Sequence, residues 1–418
     1  MNSAASQAGR GAGGVMIDLG RYGTAFVDNP YPVYAELRER GPAHHVRLPT
    51  GQEVWLVVGY EEARAALADP RLTKDWRRAA GLGSDVEGPL GIHMLTADPP
   101  QHTRLRRLVA REFTPRRIEA LRPRVHRITE ELLDAFPASG RVDLVDAFAF
   151  PLPITVICDL LGVPFLDRSS FRAWTQELLA PTDGERSRER TLPLMRDYLT
   201  DLIARKRTEP GDDLFSALIR TTDEDGDRLS AGELRAMAFL LLVAGHETTV
   251  NLIANGILAL LTHPEQMAAL VADWSLLDGA VEEMLRYDGP VEHATSRFTL
   301  EPVQVGDQVI PGGGAPVLVV LAAADRDPAR FPGADAFDIR RPAGGHLAFG
   351  HGIHFCLGAP LARMEGRIAV RALLERHPDL ALDVHPTALA WRRGLVRSMS
   401  ELPVRLGPAR VAAAPSAG

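Results

Sequence analysis

The sequence predicts a mainly α-helical protein with a small β region near its N-terminus. Three observations carry that prediction. From Arg117 to Ile219 apolar residues recur at helical spacing almost throughout. A second run, opened by Ser230, stays apolar and helical to about Leu261. Against these, only short segments read as strand, between Val46 and Gly59 and between Phe298 and Leu321.

The elements follow in order. Pro32 to Arg40 carries apolar residues at helical spacing and stops before Gly41-Pro42. Val46 to Leu48 and Glu53 to Gly59 predict a hairpin that turns at Thr50-Gly51. Tyr60 to Ala68 predicts a short helix that Asp69-Pro70 ends. Residues 79 to 97 are rich in glycine and lack periodicity, the mark of a functional or a disordered loop. Pro100 to Phe113 predicts a helix with His102 and Arg106 on one face and Arg104, Arg107 and Arg111 on another. Breaks in the helical region that follows fall at Ser139-Gly140, Pro151 to Pro153, Gly162 to Pro164, Pro181 and Pro210-Gly211.

Composition narrows the function. The chain has 418 residues, 45% hydrophobic and 24% charged, which is the balance of a soluble globular protein. A net charge of −7 argues against nucleic acid as the main partner. Two cysteines without a Cys-x-x-Cys exclude a zinc or iron–sulfur site built from thiolates. They also argue against a disulfide framework, so a reducing compartment, the cytoplasm, is expected. Residues 1 to 14 are small and polar with no apolar core, a tail and not a signal peptide. The apolar stretches Ala236 to Gly245 and Leu252 to Leu261 are each shorter than the ~18 residues that span a membrane.

Inside the long run, Ser230 with Glu233 predicts a capping box, and a helix of ~30 residues extends ~45 Å. Its middle holds Ala244-Gly245-His246-Glu247-Thr248-Thr249. Glycine, two threonines and an acid break the local rules of an apolar helix, as functional sites do. Thr248 is placed to donate back to the Ala244 carbonyl. Leu276 to Tyr287 predicts another helix, with Glu283 and Arg286 meeting at i, i+3. Phe337 to Arg341 offers a third charged partner, Arg341. Cys158 reads as core.

The most distinctive stretch runs from His346 to Gly358. Gly350, Gly352 and Gly358 bracket Cys356, and a helix follows from Ala359 to Arg376. A tight glycine loop presents one thiolate, and backbone N–H groups with a helix N-terminus favour the anion.

Phe349-Gly-x-Gly-x-His354-x-Cys356-x-Gly358, together with Ala244-Gly-x-Glu-Thr248, Glu283-x-x-Arg286 and His102-x-x-x-Arg106, resembles the cytochromes P450. The resemblance implies that family's fold: one helical haem domain over residues 15–408 with a β-rich N-terminal lobe, and tails at 1–14 and 409–418. It implies haem b held by Cys356, with Phe349 packed on the sulfur. His102, Arg106, Arg297 and His354 serve the two haem propionates. Ala244 and Gly245 leave room for O2, Thr248 offers it a hydrogen bond, and Glu247 relays protons. Glu283, Arg286 and Arg341 pin the segment that leads to the ligand loop.

By the same resemblance the protein is a monooxygenase, a hydroxylase or epoxidase. Electrons originate in NAD(P)H and arrive through a ferredoxin and its reductase. The ferredoxin docks near Arg104, Arg107, Arg111 and Arg363, on a chain expected to be monomeric. The likeness extends to actinobacterial enzymes that hydroxylate macrolides, so a macrolide or macrolactone is the expected substrate. Another polyketide, a terpenoid or a fatty-acid-like molecule is the alternative. The Glu247-Thr248 pair argues against a peroxygenase and against a haem-binding protein without turnover. The pocket is expected to use Leu82, Leu90, Ile92 and Met94 from the loop, and Leu240, Val243 and Ala244 from the long helix. Val291, His293, Leu395 and Val396 complete it. Relatives that bind an amino sugar place carboxylates in this loop, where the chain has Asp85 and Glu87.

Overall fold

The computed structural model describes residues 16–81, 91–164, 168–179, 184–220, 228–392 and 394–407. The predicted lid residues Leu82, Asp85, Glu87 and Leu90 lie outside these, as do both tails.

A central helix, Ala231–Thr262, runs through the molecule, and most of its second half is buried on every side. Its start is the expected capping box: the Glu233 N–H donates to Ser230 Oγ, and the Ser230 N–H donates to Glu233 Oε2. Helices Pro151–Leu161, Leu277–Asp288 and Ala359–Arg376 pack against it and share its core. Two of these contacts depend on glycine. A Cβ at Gly245 would meet Ile157 Cδ1 at 2.7 Å, and one at Gly256 would meet Met284 Sδ at 2.7 Å. The central helix has an apolar window long enough to cross a membrane, which corrects the expectation that no stretch reaches that length. That window is 67% buried in protein, as a core helix must be.

The β region differs from expectation in connectivity. The predicted hairpin, Ala43–Arg47 with Glu53–Val57, forms as expected. It does not stand apart as an N-terminal unit. Glu53–Val57 pairs in parallel with Pro316–Val319, which pairs antiparallel with Arg297–Thr299, and Leu72–Thr73 closes the far edge. One six-stranded sheet thus joins segments about 250 residues apart, a pairing that local sequence patterns do not encode.

A second difference lies in the helical region. Gly140–Asp143, read only as a break, is a strand paired antiparallel with Pro403–Leu406. Pro123 and Pro193 lie inside helices without ending them. The sheet matters for the site because it carries Arg297 at a strand start, with Arg297 opposite Val317.

Candidate active site

A cavity of about 260 Å³ opens between the central helix and the cysteine loop. Ala244, Gly245, Thr248 and Thr249 form one wall, and Phe349, Gly350, Cys356 and Gly358 the opposite one. The loop's shape follows from its glycines. Gly350 and Gly352 take φ of 72° and 75°, and the Cys356 N–H donates to the Phe349 carbonyl at 2.9 Å. Burial raises the Cys356 thiol above its usual range. Against this act the Gly358 and Ala359 N–H groups and the charges of Arg106 and Arg363, all of which favour a thiolate.

The rim beside the loop gathers cationic and donor groups. His102, Arg106, Arg297 and His354 all line the cavity, and so does Lys74. The His102 and His354 rings lie 4.4 Å apart. Both His102 nitrogens, His354 Nε2 and Arg297 Nε are buried without a hydrogen-bond partner. Every one of these groups is pushed toward its neutral form. Burial, then the charges of His102, Arg297, Lys74 and Arg106, lower His354 to about 3. Burial lowers Arg297 to about 10, with only Asp98 opposing. Burial and Arg106 lower His102, burial lowers Arg106, and burial and Arg297 lower Lys74 well below its ordinary value. A buried cluster of donors short of negative charge fits a ligand that brings two carboxylates. The propionates of haem b would meet that description, and Cys356 lines the same cavity.

The central-helix motif divides its roles. Thr248 lines the cavity and donates to the Ala244 carbonyl at 2.8 Å. Glu247 points elsewhere. It accepts from Thr175 Oγ1 at 3.0 Å and lies 3.3 Å from His246 Nε2. Burial disfavours its charge, but His246, Thr175 and Arg392 together hold it below the usual carboxylate range. His246 is fully buried, its Nδ1 2.7 Å from the Leu242 carbonyl, so it is no ligand. At Gly245 the missing side chain makes way for Ile157, which corrects the reading of that glycine as open space for O2.

Behind the loop, Glu283 and Arg286 are fully buried and doubly bonded, Nε to Oε2 at 2.7 Å and Nη2 to Oε1 at 2.8 Å. Arg341 reaches Glu283 at 3.2 Å. Arg286 and Arg341 also donate to the Ala336 carbonyl.

The cavity wall holds some of the expected substrate contacts and not others. Met94, Leu240, Ala244 and Val291 line it. Ile92, Val243, His293, Leu395 and Val396 do not. Val396 is bridged to Val291 and backs that residue instead of touching the space. Leu95, Leu241, Ala294 and Thr295 were missed; the first three each neighbour a residue that was named, so register decided the matter there.

Two more residues were missed. Lys74 is one of only two lysines in the chain, and its Nζ donates to the carbonyls of Thr295 at 2.8 Å and Ser296 at 3.0 Å. Asp325, an acid that follows the apolar run Leu321–Ala324, is buried and accepts the Leu347 N–H at 2.5 Å. In the arginine patch, Arg104 pairs with Glu233 and Arg363 with Glu282, and Arg107 and Arg111 lie on the protein surface.

Comparisons with known proteins agree with this geometry. The model describing the family "Cytochrome P450" matches residues 176–378. The chain is 59% identical over 403 residues to the cytochrome P450 monooxygenase PikC of Streptomyces venezuelae, covering 96% of each. It is 50% identical over 390 residues to 6-deoxyerythronolide B hydroxylase of Saccharopolyspora erythraea, covering 90% of this chain and 96% of that one. The solved structure of the tirandamycin C-bound P450 monooxygenase TamI superposes with a TM-score of 0.86 at 48% identity, covering 94% of this chain and 100% of the other.

Proposed function

The chain belongs to the cytochrome P450 family and is a haem-thiolate monooxygenase, and within that chemistry we propose that it hydroxylates a large neutral macrolactone or related polyketide. The haem b of this family, once bound, activates O2 and directs one of its atoms into a C–H bond, with electrons from NAD(P)H passed on by redox partners.

The protein's part is placement. Cys356 would hold the haem iron through its thiolate, and the unpartnered donors of His102, Arg297 and His354, with Arg106, would take the two propionates. The Thr248 hydroxyl spends its proton on the Ala244 carbonyl, so toward the cavity it offers lone pairs and accepts a hydrogen bond. Glu247 starts from its Thr175 and His246 contacts, outside the cavity wall. Proton delivery therefore requires its side chain to swing from Thr175 toward Thr248. Gly245 and Ile157 pack closely against each other in the wall beside Thr248.

The observation that carries the substrate class is the distal wall. Met94, Leu95, Leu240, Leu241, Val291 and Ala294 make it apolar, and no carboxylate lines it among the described residues. Such a wall suits a bulky neutral ligand. One relative is named as a hydroxylase of 6-deoxyerythronolide B. A ferredoxin and its reductase are the proposed electron donors, in the cytoplasm, to a monomeric enzyme. The apolar central helix is core and provides no anchor.

The test is optical titration of the ferric protein with macrolactones, aminoglycosylated macrolides and fatty acids, followed by product analysis with ferredoxin, reductase and NADPH. A spin-state shift with neutral lactones, and a hydroxylated product, is expected. A shift only with amine-bearing macrolides would replace this reading with one anchored on Asp85 or Glu87.

A further inference from the structure

Glu282 precedes the buried Glu283 on the helix Leu277–Asp288, and it has a different set of partners. Its carboxylate takes Arg363 in a fork, Nε to Oε1 at 2.6 Å and Nη2 to Oε2 at 2.8 Å. Its Oε2 also lies 3.1 Å from His346 Nε2. His346 opens the cysteine loop, and Arg363 lies on the helix that follows it. One carboxylate from a third element thus grips the chain on both sides of Cys356.

The grip reaches the sulfur in two ways. The Arg363 guanidinium sits over the Phe349 ring, 4.5 Å from its centre. The Phe349 carbonyl in turn accepts the Cys356 N–H at 2.9 Å. Arg363 is also one of two cations set beside this loop, the other being Arg106, whose Nη2 donates to the Phe355 carbonyl at 2.7 Å. Arg106 has no carboxylate partner among the described residues, whereas Arg363 has Glu282. The side chains of Arg363 and Glu282 are only 28% and 24% exposed, so solvent screens the pair incompletely.

We propose that the His346–Glu282–Arg363 clamp fixes the cysteine loop and that Glu282 offsets the Arg363 charge at Cys356, which sets how strongly the thiolate donates to the iron. Glu282 is then a positioning residue for the iron ligand, acting from beyond its first contacts, and Arg363 is not part of a docking patch. The inference rests on Cys356 as the iron ligand. The ferrous–carbonyl spectrum of the unaltered protein checks that separately: absence of the thiolate signature there defeats the ligand assignment and not the clamp alone.

The clamp predicts opposite signs. Glu282→Gln leaves the guanidinium uncompensated beside the sulfur, and the midpoint potential of the haem shifts positive. Arg363→Met leaves the carboxylate uncompensated, and the potential shifts negative. The double variant returns toward the original value, and Arg363→Lys, which keeps the charge, stays near it. These potentials are read by spectroelectrochemistry on variants that retain the thiolate–carbonyl spectrum. Shifts of the same sign in both single variants, or no shift in either, would overturn the proposal. So would a fall in ferredoxin-dependent reduction rate in Arg363→Met at unchanged potential, which would restore Arg363 to docking. Loss of the thiolate spectrum in Glu282→Gln and Arg363→Lys alike would reduce the clamp to scaffolding and also overturn the tuning role.

Discussion

The frame behind the cysteine loop and the rim of the cavity are both rich in buried charge, and they treat it in opposite ways. In the frame, Glu283, Arg286 and Arg341 satisfy one another and the carbonyls of Asp325, Ala334 and Ala336. At the rim, His102, His354 and Arg297 keep unpartnered polar atoms and drift toward neutrality. Burying charge is costly unless it is paired, so the frame is complete as the protein folds, while the rim is complete only with an added anion. The same sequence holds a finished structural element and an unfinished receptor.

That contrast can be tested, beginning with the largest effect. Glu283→Gln strips the buried Arg286 and the partly exposed Arg341 of their carboxylate and is expected to cost about 3–5 kcal/mol, read as a lower denaturation midpoint. A smaller loss would mean the frame is less dependent on charge than its geometry indicates. Gly245→Ala forces a methyl into Ile157 and is expected to cost about 1–3 kcal/mol, with Ile157→Val recovering part of it in a double-mutant cycle.

Arg297→Gln tests the rim. It is expected to speed haem transfer to a competing apoprotein by about tenfold, the worth of a charged hydrogen bond, with a smaller effect on global unfolding than Glu283→Gln. Equal effects on unfolding would erase the distinction between frame and rim. The smallest effect concerns Glu282. Burial works against its charge, but Arg363 and His346 hold it at about 2, below its ordinary 4.5. A depressed carboxylate adds stability that is complete above pH 4.5 and lost as pH falls toward 2. The stability gap between the original protein and Glu282→Gln should therefore close across that window and stay constant above it.

The sequence was most readable where chemistry forces a local signature. The capping box, the glycine loop around Cys356 and the Glu283–Arg286 pair each lie within a few residues, and each stands where the pattern put it. What was unreadable required distant contacts. The strand Gly140–Asp143 exists because Pro403–Leu406 lies beside it, and no residue within it says so. Glu247 and Thr248 are adjacent in sequence yet face different partners, since neighbouring positions on a helix point ~100° apart. Gly245 looked like space for a ligand because only the fold reveals Ile157 against it. Arg363 looked like free surface charge because Glu282 is far away in sequence.

The two glycine notches on the central helix bear on how such an enzyme changes its diet. Gly245 and Gly256 lock that helix against two separate neighbours at different heights, Ile157 and Met284. Met284 shares its helix with Glu283 and Arg286, so moving the lock would disturb the frame. Evolution or a protein engineer seeking a new substrate therefore has little freedom at this wall. The freedom lies opposite, at Met94 and Leu95 and along Val291 to Thr295, where side chains face the cavity without carrying the interlock. A library confined to those positions should yield more folded, haem-loaded variants with altered selectivity than one of equal size spread over the central helix.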